Sequence, residues 1–316
     1  MRSILFFLNL LAFFALHVLF EIGELQRILG YLDWQHYAAV ITGEKRIFWG
    51  FEIILGFMNN AFGSLAKYFY YLLTYINCFY LTKLQLYILK RAKFAGLFFV
   101  FNPYIYLLLA GIFKESFFFF LLIIIFHAIV KSKFITTPLN FLSFIVLLIR
   151  PHIYALFIKL NFKSYFAQFF LLISSVLLIS YLGLLDFALL TASVEEIAEN
   201  RQNDLPTLFV DNFLHIHKLA YNFFIYFFYF IFANSIFIKF FGFLNFIFIA
   251  LYFFKINKKN FIFFITFIIF FNFYYLLFVS NAGIAFRMMI FSTLIYMLYE
   301  YIFFKRSTLR INETHS

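Results

Sequence analysis

Four small polar islands interrupt an otherwise apolar chain, and each holds residue types that could do chemistry. Lys114 and Glu115 sit between Phe94–Ile112 and Phe117–Val130, where His127 is the one other acid or base. Arg150 and His152 flank Pro151, Asp33 and His36 follow the first apolar run, and Asn281 precedes Arg287 near the last one. Burying a charge in or beside hydrocarbon costs several kcal/mol unless it is paired or wetted, so an ion placed there points to a functional site with its neighbour as partner. The plainer alternative for Lys114 and Glu115 is a helix-end pair at the water interface. Arg and Lys held in a partly dry cavity bind phosphate or pyrophosphate, Arg with two parallel hydrogen bonds. A carboxylate beside them can take the proton of a sugar hydroxyl as a new bond forms. Together these groups suggest glycosyl transfer from a lipid-linked sugar: a polyprenyl donor in the bilayer, its headgroup beside the cations, and a glycan acceptor.

The elements that must position these islands are membrane helices. The 316 residues are 65% hydrophobic and 12% charged, about half the charged share of soluble domains. Backbone groups in lipid must be bonded internally, and the apolar runs are continuous rather than alternating, which excludes a transmembrane barrel. The sequence therefore predicts an all-α, polytopic helical transmembrane protein of about nine to ten membrane segments, some broken or re-entrant, forming one domain over residues 1–310 with a tail at 311–316. The 58 Phe fit lipid-facing positions rather than a cofactor box. The net charge of +11 lies in short loops, where it sets topology and gives no sign of nucleic acid. Cys78 is the single cysteine, so no intrachain disulfide can form.

Ile4–Phe20 is too long for a signal-peptide core and reads as the first span, entering from the cytoplasm. Residues 21–61 then form an outer, interfacial segment with Tyr31, Trp34, Tyr37 and Trp49. Phe62–Thr82 is the second span, with Lys83, Lys90, Arg91 and Lys93 on the inside. Asn102-Pro103 should bend the next span. Arg150-Pro151-His152 reads as a break lining a cavity, or as a surface turn between two short helices. Residues 186–217 form an acidic loop; if every span crosses, it is cytoplasmic, and if it lies outside, re-entrant pieces are required. His215 and His217 lack an evident third ligand and read as solvated histidines. Ala220–Phe254 is long enough for two spans around Lys239 to Gly242. Ser280–Arg287 is a polar break before Met288–Phe304, and Lys305, Arg306 and Arg310 place the C-terminus inside. The single cysteine, which allows no intrachain disulfide, suits a bacterial inner membrane.

Asp33-Trp-Gln-His36-Tyr37, in the first outer loop, resembles the acidic motif of the C-type integral-membrane glycosyltransferase superfamily. Asn102-Pro103, Lys114-Glu115, Arg150-Pro151-His152 and Gly283…Arg287 are similar to segments of O-antigen polymerase-like membrane proteins of bacterial surface polysaccharides. The likeness covers roughly residues 30–155 and 280–300. It implies Asp33 as catalytic base, Lys114, Arg150 and Arg287 as phosphate ligands, and Glu115 as a group that orients Lys114 or contacts sugar. His36, His152 and Asn281 would line the substrate site. The chain lacks the paired acids and large soluble domain of the fuller glycosyltransferase pattern. No cofactor is predicted; a divalent metal is compatible with these residues but not indicated. No P-loop, zinc motif or nucleophile elbow occurs, so ATP-driven transport and hydrolysis lose support. The alternatives are an O-antigen-type polymerase, a flippase for lipid-linked glycan, whose class often shows internal repeats absent here, and a non-catalytic membrane subunit.

Overall fold

The computed structural model describes residues 2–24, 32–44, 51–131, 206, 216–256, 260–278 and 282–313. Arg150, His152 and Asn281, the predicted spans at 139–158 and 165–185, and nearly all of the acidic 186–217 segment lie outside them. Among the described residues every regular element is helical. Among the described residues three helices are long and apolar enough to cross a membrane: Arg2–Glu21, Ile236–Phe254 and Ala282–Phe303. A bent pair raises this to four if it forms one span, so the described residues account for part of the expected segments. The chain divides into two compact units, residues 1–151 with 294–316, and residues 152–293.

The first unit begins with α1 (Arg2–Glu21), whose buried residues are Asn9, Phe13, His17 and Phe20. The segment after α1 carries two helices, α2 (Leu32–Ile41) and α3 (Phe51–Phe62). Each ends on a glycine with positive φ, Gly43 at 81° and Gly63 at 56°, the left-handed helix stop that a Cβ disfavours. Then comes α4 (Ala66–Arg91), 26 residues or about 39 Å long. It starts close to the predicted span but runs past Thr82, so Lys83, Lys90 and Arg91 stand on the helix rather than in a loop. Its buried Thr74, Asn77, Thr82 and Gln85 keep it less apolar than the three spans above. The predicted bend is present: α5 (Lys93–Val100) and α6 (Pro103–Ala110) meet at 52°. Asn102 caps α6, its Oδ1 accepting from Tyr104 N at 3.1 Å, and Pro103 takes the first turn, where its missing N–H costs nothing. α7 (Lys114–Lys131) follows after a three-residue turn.

In the second unit α8 (Ile216–Phe227) and the short α9 (Tyr229–Phe232) lead into α10 (Ile236–Ile249), which continues as a π-helical turn, Ala250–Ile256. Here the sequence expectation needs correcting. The helix runs unbroken through Lys239–Gly242, and the interruption falls at Ala233–Ser235. Gly242 is a packing residue, since a Cβ there would lie 2.8 Å from Tyr229 and Phe230. α11 (Phe261–Phe278) matches the predicted span closely. α12 (Ala282–Glu313) corrects another expectation: Arg287 stands within its first two turns rather than in a polar break. This helix starts in the second unit and ends in the first.

Candidate functional site

The first turn of α7 carries Lys114, Glu115 and Ser116. Glu115 and Ser116 are fully buried, and Lys114 is half-buried. The position favours the carboxylate, because the unpaired N–H groups of a helix start carry partial positive charge. The preceding turn, Gly111–Phe113, is pinned from α4. Tyr70 donates its hydroxyl to Phe113 O at 2.8 Å. Asn77 Nδ2 donates to Ser116 O at 2.9 Å and to Ser116 Oγ at 3.1 Å. Ser116 Oγ in turn donates to Leu109 O at 2.8 Å, tying the start of α7 back to the end of α6. Gly111 allows the turn to close, since a Cβ there would collide with the Phe113 ring and lie 2.8 Å from Phe20.

Helices α2 and α3 reach the same place. Lys114 Nζ stands 5.4 Å from the centroid of the Tyr37 ring, within cation–π range. Tyr37 is buried on α2 and packs edge-on against Phe51 of α3 at 5.1 Å. Phe51 contacts Tyr70 at 6.4 Å and Phe117 at 5.8 Å. Asp33 and His36 lie on α2, Asp33 one helical turn before Tyr37. The structure thus brings the helix bearing Asp33 and His36 against the turn bearing Lys114 and Glu115. Arg287, half-buried, belongs to the second unit. Among the described residues no group of three or more His, Cys, Asp or Glu is arranged to hold a metal ion.

Several polar residues central to the structure were passed over in the sequence. Glu300 on α12 is fully buried and forms an ion pair with Arg91 at the end of α4. Tyr87 also donates to it, at 3.4 Å. The signal was available: Glu300 is the one acid in the apolar Met288–Phe304 run. On α1 Asn9 Nδ2 donates to Thr82 Oγ1 at 2.8 Å and Gln85 Oε1 at 2.7 Å. His127 on α7 pairs with Tyr80 OH at 2.9 Å. Such cross-helix polar pairs hold membrane helices together, so part of this set is scaffold. The α7 start differs, because it combines a buried carboxylate with an adjacent ammonium.

Comparison of the chain with protein-family models, with curated proteins and with solved structures finds no match. The functional reading therefore rests on the residues themselves.

Proposed function

We propose that this chain is a bacterial inner-membrane glycosyltransferase that uses a polyprenyl-phosphate- or pyrophosphate-linked sugar in surface-glycan assembly. The observation that carries the reading is the fully buried Glu115 beside Lys114 at the start of α7, with α2 packed on it through Tyr37. In this reading Lys114 neutralises the donor phosphate, and Asp33 or Glu115 accepts the proton of the attacking hydroxyl. Arg150 supplies a further phosphate contact, with His36 at the substrate. Both chain ends are cytoplasmic, and the α7 start faces the outer leaflet. An O-antigen-type polymerase would use the same groups on a growing chain.

The bent α5–α6 pair favours one second reading, a flippase for the lipid-linked glycan, because transporters build their sites at discontinuous helices. Mass spectrometry of the lipid-linked glycan pool separates these readings in a deletion strain and in one carrying Glu115→Gln at normal protein level. A transferase leaves units short by one or more sugars. A polymerase leaves complete single units accessible from the outer face, and a flippase leaves them inaccessible. An unchanged pool in the deletion strain overturns the proposal.

A further inference from the structure

We propose that His17 is a positioning residue for the Lys114–Glu115 turn. Nothing in the sequence around His17 marks a role, and its surroundings in the fold define one. His17 is buried on α1 with its ring stacked on Tyr71 at 4.1 Å. Its Nε2 lies 2.8 Å from the carbonyl oxygen of Ala110, the last residue of α6, and its Nδ1 lies 3.2 Å from Tyr75 OH. A carbonyl can only accept, so Nε2 carries a proton; in the neutral ring Nδ1 then accepts from the Tyr75 hydroxyl. Thr74 agrees with this assignment. Its hydroxyl donates to Tyr71 O at 2.6 Å, leaving its oxygen, 3.3 Å from Nε2, as a second acceptor. The ring thus has one defined donor, Nε2–H, aimed at the end of α6.

That carbonyl matters because the last carbonyls of a helix have no partner within it. His17 supplies one at Ala110, where the Gly111–Phe113 turn begins, as Tyr70 holds Phe113 O, where it ends. Two helices therefore fix the two ends of the turn that presents Lys114 and Glu115. Displacements of about 1 Å at a reacting group are costly, so this clamp sets the geometry of the site. The functional consequence rests on the glycosyltransferase reading; the clamp itself does not.

The test uses the full-length chain in lipid nanodiscs, with Lys114→Cys as reporter and the buried Cys78 left in place. The alkylation rate of the thiol at position 114 by a charged maleimide is compared with that of an exposed control, Glu44→Cys. His17→Phe should change the rate at 114 by about fivefold, the factor carried by one hydrogen bond, and leave the control within about twofold. His17→Gln, which keeps a side-chain N–H, should restore the parent rate. An unchanged rate at 114 in His17→Phe, an equal change at the control, or no rescue by His17→Gln would overturn the clamp. If His17→Phe fails to fold, His17→Leu takes its place: it also removes the Nε2 donor and should shift position 114 in the same direction, and no shift overturns the clamp. In a transfer assay His17→Phe should lower kcat with little change in KM. Loss of that effect while the labelling result holds counts against the glycosyltransferase reading, not against the clamp.

Discussion

The described residues of the two units meet the same packing problem with different mixtures of contacts. In the first, α1, α4, α6 and α7 are joined by directional bonds at successive levels: Asn9 to Thr82 and Gln85, Gln85 to Tyr106, Asn77 to Ser116, and Tyr70 to Phe113. In the second, rings carry much of the contact. Phe253 stacks on Phe264 at 4.0 Å, Phe228 and Phe230 both meet Phe246, and Gly242 lets Tyr229 and Phe230 close on α10. Polar bonding is present there too, as in Asn272 Nδ2 to Ser292 Oγ at 3.3 Å. Ring contacts tolerate sliding, whereas a hydrogen bond in lipid fixes register, because the alternative is an unsatisfied group. A site that must hold a carboxylate and an ammonium in place belongs in a unit built the first way.

This contrast can be broken by substitution. The largest effect should come from Arg91→Ala, which strands the fully buried Glu300 and should cost about 3–5 kcal/mol in reversible unfolding. Glu300→Gln should cost less, because Arg91 is 39% exposed and can turn to water; the reverse order would contradict the pairing. Gly111→Ala comes next, at about 1–3 kcal/mol by overpacking, and it should also abolish transfer because the turn must shift. Gly242→Ala should cost a similar amount in the second unit yet leave transfer measurable, and equal loss of activity in both would erase the distinction. Asn77→Leu should cost about 1–2 kcal/mol, the range of cross-helix polar bonds in membranes. The smallest effect is expected from Phe253→Leu, about 0.5–1.5 kcal/mol for a lost ring pair. Thermal unfolding in detergent ranks the last two.

What could be read in the sequence was local. The apolar runs announce membrane helices, Asn102-Pro103 announces the bend, and the charges at Lys114 and Glu115 announce the start of α7. What could not be read was tertiary. Nothing near Tyr37 shows that it meets Lys114, 77 residues away (114 − 37). Lys239–Gly242 looks like a break because Gly and Lys are poor company for a span. In the folded chain Gly242 is where another helix comes close, and Lys239 lies one turn from the helix start. Arg287 reads as part of a break for a related reason: the small residues before it permit either a turn or a helix start, and local composition does not choose. Glu300 is legible as a lone acid in an apolar run, but its partner Arg91 stands among basic residues that read equally well as topology-setting charges.

The most direct test of the central claim measures transfer by the purified chain in nanodiscs, with the lipid-linked acceptor that accumulates in the deletion strain and the missing sugar supplied on polyprenyl phosphate. Glu115→Gln and Lys114→Met, each with unchanged unfolding, should lower turnover at least about a hundredfold, the low end for loss of a catalytic acid–base group. Wild-type turnover in both variants would contradict the account.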